Sequence, residues 1–291
     1  MFDPNWLQER YRFDEEARNK QLEWTCVNQF AFRDHVQIVD LGSGTGANLR
    51  YYVEQFPQDQ TWFCVEEDIA LKVPFWEQVQ KMALDLDYAI EHEGVRMKLT
   101  KPGHEVLIHF VHGNLLKVGE LVDLLRTDLV LANAVFDLFS KEQFTGLVQV
   151  LSHHSLSLLF TLNYAGMDFS TATDADDHYI EQYNAHMQRE QAFGRGMGPA
   201  SSREMEAVLK EALAQVEVGE SLWQIGSQEQ AMMSYLLGFF DGALSDWWVK
   251  EAERLAFQNW LSEKKKHVAE KALSAEVYHL DILASFFPKI A

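Results

Sequence analysis

The run Val36-Gln-Ile-Val-Asp-Leu-Gly-Ser-Gly-Thr-Gly-Ala-Asn-Leu-Arg50 opens as an apolar segment and closes as a helix. Val36 to Leu41 shows no helical spacing, which reads as a buried parallel strand. The chain then turns through Gly42, Gly44 and Gly46 and continues as a helix carrying Leu49, Tyr52 and Val53 on one side. Alternate glycines let the backbone approach a ligand with no side chain between. Free N–H groups at a helix start favour an anionic group. Asp40 stands two residues before the first glycine, at the carboxyl end of the strand.

On spacing alone, Gly42-x-Gly44-x-x-Ala47 also satisfies a tolerant dinucleotide fingerprint, and hence an NAD(P)-dependent oxidoreductase. A buried anion at Asp40 sits badly beside a pyrophosphate but well beside a ligand with an α-amino group and a sulfonium. The whole run Val39-Asp40-Leu41-Gly42-Ser43-Gly44-Thr45-Gly46 resembles the first motif of class I S-adenosylmethionine (AdoMet)-dependent methyltransferases, D-x-G-x-G-x-G after a strand. The resemblance implies an α/β fold with a Rossmann-like seven-stranded mixed sheet. It also implies AdoMet as cofactor, with Asp40, Gly42, Ser43, Gly44 and Gly46 around it.

The chain has 291 residues, within reach of a single α/β unit with insertions, and 47% hydrophobic residues can supply its core. Lysine and arginine number 25 against 44 aspartate and glutamate, a formal net charge of -19. Such a surface repels phosphate backbones, so a nucleic-acid substrate is disfavoured and a small molecule preferred. Cys26 and Cys64 offer neither a disulfide framework nor metal spacing and are expected to be buried and reduced, as in a cytosol. The start, Met1-Phe-Asp-Pro-Asn-Trp6, lacks a signal-peptide layout, and no apolar run reaches the roughly 18–20 residues of a membrane span. A soluble cytoplasmic protein is expected.

Asp3-Pro4 is a helix start, and an amino-terminal helical segment is expected over 1–34, with Trp6, Tyr11, Ala17, Leu22, Cys26 and Phe30 facing inward. In many methyltransferases of this class a preceding helix folds over the cofactor, sometimes with an arginine on the methionine carboxylate. Arg18 is the candidate for that role, the alternative being an ordinary solvated arginine. Thr61-Trp-Phe-Cys-Val65 is a second strand ending at Glu66. There the resemblance implies an acid that accepts bonds from both ribose hydroxyls, as one carboxylate can. Residues 69–93 have a helical pattern bent at Pro74. Val95 to Val111 then reads as a hairpin whose second arm is the third parallel strand, at the sheet edge. Asn114 stands where relatives commonly carry an acid reading the adenine amino group, and Leu115 follows it.

Asp128 to Asn133 is the fourth strand. Asn133-Ala-Val-Phe136 partly resembles the Asn-Pro-Pro-Tyr/Phe signature of amino-methyltransferases, with both prolines absent. Ser155 to Leu162 is the fifth strand. His153-His154 lies at its amino-terminal edge, away from the ligand side, and no metal site is expected. Residues 165–200 read as an inserted cap: a helix from Tyr179 to Arg189, then Phe193-Gly-Arg-Gly-Met-Gly-Pro199. If the acceptor needs a general base, Asp137, Tyr164 and His186 are the candidates. The stretch 227–272 would form a helix of about 65 Å, so a break is expected near Gly242 to Trp248. A sixth strand over 216–225 and a seventh over 276–284 complete a single domain, the seventh antiparallel between fifth and sixth if the family topology holds.

The expected function is methyl transfer from AdoMet to a small molecule. The alternatives are a non-catalytic methyltransferase-like binding protein and the oxidoreductase above.

Overall fold

The computed structural model describes residues 3–93, 95–191 and 194–286. Met1 and Phe2 of the amino-terminal segment, and Phe193 in the loop expected over the cap, lie outside the described residues. Two helices lead, α1 (Pro4–Ala17) and α2 (Lys20–Asn28), followed by β1 (His35–Leu41), α3 (Ala47–Tyr52) and β2 (Asp59–Glu66). Next come α4 (Lys72–Asp85), β3 (Ala89–Glu93), β4 (Arg96–Lys101), β5 (His104–His112), α5 (Val118–Leu121), β6 (Leu129–Asn133) and α6 (Lys141–Leu151). Then follow β7 (Ser157–Phe169), α7 (Asp174–Met187), the short β8 (Glu190–Gln191) and β9 (Gly194–Arg195), and α8 (Ser201–Glu211). The chain ends with β10 (Gln215–Ile225), α9 (Gln230–Leu244), α10 (Glu251–Ala269) and β11 (Ala275–Ser285).

The main sheet has nine strands in the order β10-β11-β7-β6-β1-β2-β5-β4-β3. Strands β5, β2, β1, β6 and β7 run parallel, and β11 lies antiparallel between β7 and β10. These seven match the expected Rossmann-like arrangement. The expectation of seven strands is corrected to nine by β4 and β3, which extend the edge antiparallel beyond β5. The helix expected over 69–93 stops at Asp85, Asp87 turns with φ 59°, and Ala89-Ile-Glu-His-Glu93 pairs with β4. Pro74 falls in the first turn of α4, where its missing N–H costs nothing, so it does not bend the helix. The long carboxyl-proximal stretch breaks after Leu244, giving α9 and α10.

The strand pattern divides the core. Val36 and Ile38 of β1 pack with Trp62 and Cys64 of β2 under α2, α3 and α4. Val39 and Leu41 face the other way, toward Phe144 and Leu147 of α6 and Met205 of α8. A third cluster joins Trp6 and Phe13 of α1 to Trp223 of β10, Phe240 of α9 and Trp260 of α10. On α1, Phe13 and Asp14 are buried, while Tyr11 is only half-buried. Chain direction out of the sheet reverses between β1 and β6, so a crevice opens at their carboxyl ends, where open α/β sheets bind ligands.

Candidate functional site

The loop after β1 is tied to the end of β2. Gly42 N and Ser43 N both donate to Val65 O, at 2.9 and 3.1 Å, and Gly44 N donates to Glu66 Oε2 at 2.9 Å. Gly42 and Gly44 have φ of 68° and 55°, the left-handed region that glycine enters without strain. The loop floors a cavity of about 220 Å³ that reaches Asp40, Glu66 and Glu67 on one side and Asn133, Ala134 and Val135 on the other. Ala134 is itself left-handed, φ 53°, and its N–H donates to Thr161 O at 2.9 Å. That strained conformation puts its backbone on the cavity wall.

Asp40 is 1% exposed. Its Oδ1 accepts from Asn48 Nδ2 at 2.7 Å, whereas Oδ2 is buried without a hydrogen-bond partner. Burial pushes its carboxyl up to about 7, against the opposing pull of Asn48 and Arg18. Ser43 Oγ and Thr45 Oγ1 are likewise buried, unpartnered and on the cavity wall. Buried polar atoms are seldom left unpaired, and all three belong to residues that line the one cavity. Glu66 accepts from Asp68 N through Oε1 at 2.8 Å as well as from Gly44 N, which holds its carboxylate at the mouth of the loop.

Helix α1 forms the facing wall with Trp6, Leu7, Arg10 and Asp14. A Cβ built on Gly44 would stand 3.3 Å from Leu7 Cδ1. Arg10 is gripped by Asp14 through Nε and Nη2, at 3.0 to 3.2 Å, and lies over the Trp223 ring at 4.9 Å. Asp14 in turn accepts from Asn133 Nδ2 at 2.9 Å, and Asn133 Oδ1 accepts from Thr161 at 3.0 Å. The helix is thereby latched to the tip of β6.

Of the residues singled out in the sequence, the cavity brings together Asp40, Gly42, Ser43, Gly44, Glu66, Leu115 and Asn133. Gly46 starts α3 with φ 81°, off the wall, and Phe75 lies about 3.1 Å from where its Cβ would be. Asn114 caps the short turn at Leu115–Lys117 by accepting from Leu116 N, and it donates to Glu67. Arg18 is neither solvated nor on the wall. It is 3% exposed and donates to Asn48 Oδ1 at 2.8 Å, behind Asp40.

The candidate catalytic residues also stand outside the cavity. Asp137 has its Oδ1 buried without a partner and its carboxyl raised to about 6 by burial. The Tyr164 hydroxyl donates to Asn184 at 2.9 Å, and His186 packs edge-on against Trp247. Among the described residues no group of three or more His, Cys, Asp or Glu is placed to hold a metal. No helix among the described residues is long and apolar enough to cross a membrane.

Sequence reasoning missed Arg10, Asp14 and Asn48. The i,i+4 spacing of Arg10 and Asp14 behind Trp6 was the available signal. For Asn48 it was a polar residue in the first turn after a glycine loop.

No protein-family model and no curated protein matches the chain. Solved structures do resemble it. The YcgJ protein from Bacillus subtilis has a TM-score of 0.52 over 93% of this chain and 100% of its own, at 12% identity. The cyclopropane synthase MmaA2 from Mycobacterium tuberculosis has a TM-score of 0.46 over 91% and 83%, at 10% identity. Geranyl diphosphate C-methyltransferase from Streptomyces coelicolor has a TM-score of 0.42 over 92% and 80%, at 11% identity. The first likeness covers 93% of this chain and, with the strand order above, shows a Rossmann-like mixed α/β fold.

Proposed function

We propose that the chain is an AdoMet-dependent methyltransferase acting on a small molecule, with the cofactor seated in the glycine-loop cavity. The observation that carries this reading is Asp40. A buried carboxylate with one unpartnered oxygen, at the tip of the central strand, suits a cation and opposes a pyrophosphate. The residues fit the cofactor in further ways. Glu66 at the next strand tip retains acceptor capacity for hydroxyls. Leu71, Leu115 and Val65 give an apolar slot for a flat base, and the loop glycines keep side chains out of the cradle.

When bound, AdoMet supplies an activated methyl group on a sulfonium. The protein's own task is then to orient, to oppose positive charge and to keep water out. Orientation of two reactants supplies up to about 7–11 kcal/mol in the best cases. Asp40 opposes positive charge from below and α1, with Trp6 and Leu7, covers the cavity from above.

The position of Asp137, Tyr164 and His186 outside the cavity favours one second reading, a non-catalytic protein that holds the same cofactor. Calorimetry with AdoMet and with its demethylated product tests the shared part: Asp40→Ala or Glu66→Ala should weaken binding tenfold or more. Unchanged affinity in both variants refutes the site. Labelled AdoMet with a metabolite extract, read by mass spectrometry, separates the two: a labelled product supports transfer, and its absence across extracts supports binding alone.

A further inference from the structure

Only one oxygen of Asp40 is hydrogen-bonded, and two side chains behind it fix which one. Arg18 Nη2 donates to Asn48 Oδ1 at 2.8 Å, and Asn48 Nδ2 donates to Asp40 Oδ1 at 2.7 Å. A guanidinium has donors only, so the amide oxygen must face Arg18 and the amide NH2 must face Asp40. Arg18 is held in turn at Nη1 by Tyr52 Oη, 3.3 Å, and Thr161 Oγ1, 3.2 Å. Tyr52 donates onward to Glu23 at 2.9 Å. Arg18, Asn48 and Asp40 are all at most 3% exposed, so water does not compete for these bonds. Arg18 also caps α1, but through its backbone N–H, which donates to Asp14 O; its side chain takes no part in that cap.

We propose that Arg18 is a positioning residue that acts through Asn48: it locks the amide so that Asp40 is held as a carboxylate, and thereby sets the pH range in which the cavity accepts a cation. A flipped Asn48 would set its carbonyl oxygen against Asp40 and would demand a protonated carboxyl. Arg18 forbids the flip. The identity of the cation rests on the AdoMet reading above; the ionisation of Asp40 does not.

The charged and titratable groups around Asp40 are Arg18 from the α1–α2 junction and Glu66 and Cys64 from β2. The Arg10–Asp14 pair of α1 lines the same cavity. Arg18 favours the carboxylate, Glu66 opposes it, and burial opposes it most strongly. A cation prefers the ionised form, so affinity climbs as pH rises through the Asp40 midpoint and levels off above it. Without Arg18 that midpoint moves to higher pH.

The test uses the full chain and two readouts. Carbon-detected NMR of labelled aspartate follows Asp40 in the ligand-free protein, and calorimetry follows AdoMet affinity from mildly acid to alkaline pH. In Arg18→Met and in Asn48→Ala the Asp40 midpoint should rise by about one pH unit or more. AdoMet affinity near neutrality should fall about tenfold, and alkaline pH should restore it. Arg18→Lys, which still presents only donors, should stay near the wild type. Should Arg18→Met fail to fold, Asn48→Ala decides. An unmoved midpoint, or an affinity loss equal at every pH, overturns the proposal. A moved midpoint in a protein that binds no AdoMet leaves it standing and removes the cofactor reading instead.

Discussion

At Gly42 the backbone sits at φ 68°, and a Cβ built there would lie 2.9 Å from Val135 Cγ2. Two costs therefore face Gly42→Ala: a left-handed backbone worth roughly 1–2 kcal/mol for a non-glycine residue, and a contact that a rotating valine can relieve. Gly42→Ala should lower unfolding free energy by about that backbone amount, and adding Val135→Ala should recover little of it. Full recovery in denaturant titrations of the double variant would place the cost in the contact. Asp40→Asn keeps the shape and removes the anion. AdoMet affinity should fall tenfold or more and lose its dependence on pH around neutrality, as calorimetry would show. At this scale the sequence disclosed the acids and glycines because they are local, consecutive and tied to one loop. It did not disclose that Arg18 is buried, because its partners Asn48, Tyr52 and Thr161 come from elements far along the chain.

Helix α1 is an element whose position depends on few bonds. Asp14 holds both Arg10 and Asn133, Arg50 of α3 lies over Tyr11 at 3.9 Å, and Arg12 pairs with Glu229 at 2.8 Å on the surface. Hydrogen bonds to charged groups contribute about 1.5–3 kcal/mol, so Asp14→Ala should raise amide exchange in α1 by one to two orders of magnitude while β1 stays protected. Equal exchange in both proteins would mean that α1 is held by its apolar face alone. Helix α7 is pinned differently. Asp176 accepts from Trp260 Nε1 at 2.8 Å and from Thr171 Oγ1 at 2.5 Å, and pairs with the buried Lys264 of α10. Burial opposes the Asp176 charge, but Lys264 and these donors outweigh it and hold the carboxyl at about 2. Its folded pKa lies below the unfolded value near 3.9, so its stabilisation is complete above about pH 4 and is lost toward pH 2. The Tm difference between wild type and Asp176→Asn should be full at neutral pH and shrink across that window. Element types were legible where apolar period and capping agreed, as at Ser140 with Gln143. β3 was not, because Ala89-Ile-Glu-His-Glu93 carries few apolar residues and is defined by its pairing with β4.

For the whole molecule, a formal charge of -19 spread over one chain makes the folded state repel itself. Moderate salt, which shortens the reach of such repulsion to about 8–10 Å, should therefore raise Tm. A Tm that falls with salt would mean that attractive pairs such as Arg12–Glu229 dominate instead. The order of strands came only from the family resemblance carried by the glycine loop, and the observed order agrees with it from β5 through β10. Of the two strands added at one edge, β4 was legible as the first arm of the hairpin, whereas β3 was hidden by its polarity.

Asp281 of β11 accepts from Asn19 N at 2.8 Å, across 262 residues, and also from Leu162 N and Ser221 Oγ at 2.7 Å each. The joint between the first two helices is thus completed by the final strand. During synthesis α2 can pack on β1 and β2 early, but the joint between α1 and α2 lacks its acceptor until β11 has emerged. The cavity above the glycine loop, walled by α1, should accordingly be among the last features to mature, and ligand capture during refolding should lag behind closure of the parallel strands.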